Sequence, residues 1–74
     1  KLSVYPNPAT TTLTLVAENK LKNVQLLNAL GKTVLTQTVI SNRLSLDISS
    51  LPNGIYLVHA TDGKRTFTQK VLKE

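Results

Sequence analysis

Residues 51–73 hold two runs rich in β-branched, aromatic and aliphatic residues on either side of Asp62-Gly63. No other feature constrains the chain as strongly. Asp-Gly suits a two-residue type I′ hairpin turn, which needs φ > 0 at both central positions. The first run is Leu51-Pro52-Asn53-Gly54-Ile55-Tyr56-Leu57-Val58-His59-Ala60, and the second is Thr66-Phe67-Thr68-Gln69-Lys70-Val71-Leu72-Lys73. A two-residue loop predicts Thr61 opposite Lys64, Val58 opposite Phe67 and Gly54 opposite Val71. Side chains alternate along strands. One face then carries Tyr56, Val58, Ala60, Phe67, Gln69 and Val71, and reads as core. The other carries Ile55, Leu57, His59, Thr66, Thr68, Lys70 and Leu72, and is more apolar than a solvated face requires.

The rest of the chain has the same period of two. Leu2-Ser3-Val4-Tyr5 alternates and meets Pro6-Asn7-Pro8. Proline has no N–H and holds its predecessor extended, so this strand must end there or sit on an edge. Residues 10–16 place Leu13 and Leu15 inward and Thr12 and Thr14 outward. Glu18-Asn19-Lys20 reads as a polar turn. Residues 22–27 place Val24 and Leu26 on one side, Asn23 and Gln25 on the other. Asn28-Ala29-Leu30-Gly31 is the next turn, with Gly31 at φ > 0. Residues 32–40 form a strand with Val34 inward, Ser41-Asn42 turns it, and residues 43–48 place Leu44, Leu46 and Ile48 inward. A Pro52-Asn53-Gly54 turn leads into the hairpin. Seven short strands at intervals of about ten residues, with no helical stripe, predict an all-β, Ig-like antiparallel β-sandwich. The Cys…Trp…Cys signature of antibody domains is absent, since the chain has neither residue.

At 74 residues the chain is one domain. A domain of this size buries only about 60% of the surface its unfolded chain exposes. It has nine Lys and Arg against four Asp and Glu, a net charge of +5. The cations are dispersed, with no basic run, and only Tyr5, Tyr56 and Phe67 could stack on bases, so nucleic acid is not an expected partner. No apolar stretch reaches the roughly 18 residues of a membrane-spanning helix.

Catalytic chemistry is equally unsupported. His59 is the one histidine and there is no cysteine, so no zinc-type ligand set can be assembled and no cofactor is implied. Ser45 or Ser49, His59 and Asp62 make a triad only on paper, without a Gly-x-Ser-x-Gly elbow. His59 reads as a partly exposed strand residue, and Asp47 and Asp62 as turn and strand-end residues. No catalytic or metal residue is expected.

Three motifs carry a family resemblance. Val4-Tyr5-Pro6-Asn7-Pro8-Ala9-Thr10 resembles the Tyr-Pro-Asn-Pro entry motif of the C-terminal sorting domains of the type IX secretion system of Bacteroidetes, found on gingipain-like cargo. Leu51-Pro52-Asn53-Gly54-Ile55-Tyr56 resembles that family's Leu-Pro-x-Gly-x-Tyr motif, and Lys70-Val71-Leu72-Lys73 its terminal Lys-apolar-apolar-Lys motif. Between them, Leu26-Leu27-Asn28-Ala29-Leu30-Gly31-Lys32 resembles its Asn-x-x-Gly-(Gln/Lys) turn. The resemblance covers the chain from about Leu2 to Glu74. It implies a non-catalytic sorting signal at the end of a longer exported protein. A periplasmic cargo would pass through the type IX outer-membrane translocon with a shuttle protein. A sortase-like peptidase commonly removes the domain in a linker upstream of Lys1, and the cargo is secreted or held at the outer membrane and cell surface. The implied recognition residues are Tyr5, Pro6, Asn7, Pro8, Gly54, Tyr56, Lys70, Val71, Leu72 and Lys73.

Structural roles stand beside these. Pro6 and Pro8 blunt a strand edge, Gly54 meets a backbone need, and Tyr56 is core with its hydroxyl bonded. Lys70 and Lys73 read as accessible charges near a strand end. The apolar face around Ile55 and Leu57, with Lys70, is a candidate docking face for the upstream cargo domain or the translocon. An open edge at residues 32–40 would permit a homodimer. The alternative function is a structural β-sandwich spacer or adhesin module of a cell-surface protein.

Overall fold

The computed structural model describes residues 2–74. It has five strands: β1 (Leu2–Tyr5), β2 (Thr12–Leu27), β3 (Thr33–Asp47), β4 (Gly54–Thr61) and β5 (Thr66–Lys73). The all-β class and the antiparallel pairing are as expected. The strand number is five rather than seven, because two expected turns are bends inside long strands. Glu18-Asn19-Lys20 continues β2, and Ser41-Asn42 continues β3.

The inward positions of β2 explain the bend. Leu13, Leu15, Ala17 and Leu21 are buried, and so are Val24 and Leu26. The buried series changes from odd to even between Leu21 and Val24. The register of β2 on β3 shifts at the same place. Val16 faces Arg43 and Leu21 faces Ser41, then Asn23 faces Thr38. Extra residues first on β2 and then on β3 are bulges, which bend and twist a strand. Charged and polar residues are tolerated at 18–20 because that stretch is exposed.

Strand β3 lines one edge of β2 on both sides of the bend. The other edge is taken first by β1, with Val4 on Leu15, and beyond the bend by β4, with Leu26 on Val58. β5 pairs with β4. Both halves of the folded sheet face one core, where Leu13, Leu15 and Leu46 meet Leu26, Val58 and Val71. β2 and β3 therefore contribute to both layers. Burying a Leu or Val side chain contributes about 1.5–3 kcal/mol, so this shared core supplies most of the driving force.

The β4–β5 hairpin departs from the expected register. Thr61 faces Thr66, Val58 faces Gln69 and Gly54 faces Lys73, so the loop is Asp62-Gly63-Lys64-Arg65. The Asp62 side chain is the cause. Its carboxylate accepts the N–H groups of Lys64 at 2.9 Å and Arg65 at 2.7 Å. The Asp62 N–H donates to the Arg65 carbonyl at 3.1 Å. This side-chain turn needs no positive φ at Asp62, and no described non-glycine residue has one. Gly63 alone takes a left-handed conformation there, at φ 95°. A shift of two residues preserves side-chain parity. Tyr56, Val58, Ala60 and Val71 are accordingly buried as expected, while Phe67 is half-buried and Gln69 exposed.

The other turns follow their side chains. Gly31 has φ 85° as expected. The Asn28 carboxamide oxygen accepts the N–H groups of Leu30 and Lys32, each at 3.0 Å. Before β4 the hydrogen-bonded turn lies three residues earlier than expected, with the Leu51 N–H on the Ile48 carbonyl at 3.1 Å.

The Arg65 and Lys64 N–H groups hold the Asp62 carboxyl below its usual pKa. A depressed carboxylate contributes stability above its unfolded pKa of about 3.9 and loses it as pH falls through the folded value. Asp62→Ala should therefore lower Tm at pH 7, and the gap to the parent should narrow as pH drops below about 4. Thermal melts followed by circular dichroism from pH 7 to pH 2.5 check this.

Candidate functional site

The chain after β1 crosses from one layer of the sandwich to the other. Both Tyr5–Pro6 and Asn7–Pro8 peptide bonds are cis. Residues 7–9 then lie along the outer edge of β5. The Ala9 N–H donates to the Leu72 carbonyl at 2.8 Å, and the Glu74 N–H donates to the Ala9 carbonyl at 2.8 Å. Ala9 and Lys73 form an isolated parallel bridge. The Asn7 side chain extends this contact. Its oxygen accepts the Leu72 N–H at 3.0 Å, and its nitrogen donates to the Lys70 carbonyl at 3.4 Å. An asparagine presents a donor and an acceptor together, so it imitates one residue of a neighbouring strand.

The second motif, Leu51 to Tyr56, sits on the opposite edge of β5. Gly54 faces Lys73 and Ile55 faces Leu72. Gly54 has φ 154°, a conformation that residues with a Cβ rarely adopt. Tyr56 is buried, and its hydroxyl donates to the Pro52 carbonyl at 2.5 Å. The segments around Asn7, Gly54 and Lys70-Val71-Leu72-Lys73 thus meet as three adjacent backbone runs at one end of the sandwich.

Within this cluster the side chains divide by face. Val71 and Tyr56 belong to the core. Lys73, expected to be an accessible charge, is only 8% exposed. It shares the inward parity of Val71, so its aliphatic stem packs at the rim and its ammonium donates to the Asn53 side-chain oxygen at 3.4 Å. Lys70 points outward and is exposed. Tyr5, Pro6 and Pro8 are exposed too, and the Tyr5 hydroxyl accepts a hydrogen bond from Arg43 at 3.3 Å. Leu72, Ile55 and Leu57 are 37%, 49% and 36% exposed. Two shallow grooves flank Ile55. One, of about 170 Å³, is lined by Asn7, Ile55, Lys70, Val71 and Leu72. The other, of about 230 Å³, lies between Leu30, Pro52, Gly54 and Tyr56.

Two participants were not singled out from the sequence. Ala9 is fully buried and supplies both backbone bonds to β5, and its only signal is a small residue just after Pro8. Asn53 accepts from Lys73, and only the inward parity of Lys73 points to it. His59 is exposed, and no cluster of three His, Cys, Asp or Glu residues exists among the described residues. Asp47 accepts from the Ser49 hydroxyl at 2.7 Å and the Ser49 N–H at 3.0 Å. These bonds lower its pKa and fit a strand-end role.

Residues 3–74 match the family described as the secretion system C-terminal sorting domain. The chain belongs to that family. Sorting domains of this kind, non-catalytic in general, mark cargo of the type IX secretion system for export toward the outer membrane or cell surface. Among curated proteins none matches. One solved structure with the same fold is that of PorZ, described as an essential surface component of the type IX secretion system of Porphyromonas gingivalis. It superposes with a TM-score of 0.81 at 15% identity, over 99% of this chain and 11% of that one. The chain therefore spans a small part of the PorZ length, and at this identity the likeness concerns the fold.

The clasp that residues 7–9 make on β5 has a direct test. Asn7→Ala removes both side-chain bonds and should cost about 1 kcal/mol. Asn7→Asp keeps the acceptor for Leu72 but sets a carboxylate oxygen against the Lys70 carbonyl, so it too should fall below the parent at neutral pH. Chemical denaturation gives the ranking, and faster hydrogen exchange of the Leu72 amide in Asn7→Ala locates it.

Proposed function

We propose that residues 1–74 are one non-catalytic sorting domain belonging to a longer exported protein. It directs its cargo from the periplasm through the type IX outer-membrane translocon, with a shuttle protein and a sortase-like peptidase as partners. The cargo then reaches the outer membrane, cell surface or medium. The supporting observation is the clasp. Three sequence motifs, the first and last more than sixty residues apart, are held as neighbours on β5 by Asn7, Ala9 and Gly54.

The motif residues fall into two groups under this reading. Gly54, Tyr56, Val71 and Lys73 build the framework, and Asn7 latches it. Lys70, Leu72, Tyr5, Pro6 and Pro8 are the exposed groups available for recognition. Ile55 and Leu57 adjoin them. The outer edge of β3, which pairs only with β2 among the described strands, leaves room for a second copy. Sedimentation measurements on the isolated domain would detect such a dimer.

An export assay tests the sorting role. Residues 1–74 joined to an inert periplasmic reporter should carry it to the surface or medium in a host with the type IX system, and not in a translocon-deficient strain. A reporter that stays in the periplasm of the competent host overturns the reading in favour of a spacer or adhesin module. Trimming Lys73 and Glu74 is a poor version of this test. It removes a buried side chain and the Glu74–Ala9 bond, so it also weakens the fold. In stability assays that truncation should melt below the parent.

A further inference from the structure

The outer face of the four-stranded half is almost free of charge. In its middle row Gln25 lies between Thr36 and His59, and His59 faces Thr68. The next row toward the clasp runs Leu27, Leu57, Lys70, and the last row is Ile55 beside Leu72. The face thus grades from hydroxyl and amide side chains to an apolar end with Lys70 as its one charge. Antiparallel sheets normally solvate such a face with polar and charged residues. Among the described residues the other cations lie elsewhere: Lys20 and Lys22 at the bend, Lys32 in the turn after β2, Arg43 beside Tyr5 in the other half, Lys64 and Arg65 in the hairpin loop, and Lys73 turned inward.

Lys70 has no ion-pair partner among the described residues. The nearest acid along the strand is Glu74, about 13 Å away at strand rise. A lone cation ringed by Leu57, Leu72 and Ile55 has low local polarity around it, where an opposite charge is attracted more strongly than in open solvent. The two grooves flanking Ile55 give this end relief as well as apolarity.

We propose that this end of the outer face is the surface by which the domain docks on a folded protein of the export machinery. That partner presents apolar side chains around a carboxylate, with the carboxylate opposite Lys70 and an apolar group over Ile55. This rests on the sorting reading above and assigns it a face. A lipid surface fits poorly, because attachment to anionic headgroups uses several cations together and this face has one. The central position of Ile55 between two grooves matches an interface anchor, and Lys70 supplies register and specificity.

The experiment is the reporter export assay with four variants: Ile55→Asp, Lys70→Glu, Lys70→Arg, and Thr68→Asp on the same face away from the apolar end. Thermal melts accompany each. The docking reading predicts that Ile55→Asp and Lys70→Glu fold and lose at least tenfold in export, while Lys70→Arg and Thr68→Asp stay within about twofold of the parent. Lys70 is exposed, so Lys70→Glu gives a folded variant even if Ile55→Asp does not fold. Normal export of folded Lys70→Glu overturns the docking surface and leaves the sorting reading intact. It would also be the result if this face served only the cargo's own neighbouring domain, which the reporter lacks. Equal loss in Lys70→Glu and Lys70→Arg overturns the carboxylate. Failure of the unaltered residues 1–74 to export overturns the sorting reading itself.

Discussion

The sandwich depends on the shared use of β2. A two-layer β structure of this size usually needs separate sheets joined by loops, and each loop spends residues that bury little. Here one strand of 16 residues crosses between the layers and pairs with three others. The parity switch between Leu21 and Val24 makes this workable. Without it, Val24 and Leu26 would face solvent while Asn23 and Gln25 faced the core. The bulges at the bend thus let a single hydrophobic series serve both halves. The cost is one buried side-chain oxygen, that of Asn23 beside the switch, which has no hydrogen-bond partner.

Much of this was legible because alternation is a local property. Leu13, Leu15, Val24, Leu26, Leu44, Leu46, Ile48, Tyr56 and Val58 all lie inward as their parity indicated. Continuity was not legible. Glu18-Asn19-Lys20 has the composition of a turn, and only the pairing of the residues on either side of it with a second bent strand carries β2 through. The hairpin register failed for a related reason. Asp-Gly was read by its backbone preference, whereas the Asp62 carboxylate captured two N–H groups and widened the loop. A side chain competing with the backbone for the same donors changes the outcome without altering the sequence signal.

The site was partly legible. Its motifs could be recognised in the sequence, and the hairpin set the second beside the third, but nothing local to Pro6-Asn7-Pro8 says that it lies against residues 70–74. Lys73 shows the limit of reading by residue type. A lysine near a strand end suggests a solvated charge, and parity with Val71 overrides that. Lys70, three residues earlier, has the opposite parity and the opposite fate. A motif with two lysines therefore contains one framework residue and one exposed one.

The Ala9–β5 bridge also bears on how the domain forms. It joins residue 9 to residues 72–74, and β1 and β2 cannot close their layer against β5 until that late segment has been made. Contacts this distant in sequence carry a loop-closure cost that slows folding. An N-terminal piece of the domain would have Leu13 and Leu15 in place and no Val71 to complete their core. Closure of the sandwich thus waits on β5: the folded state is a record that residues 72–74 have joined residue 9.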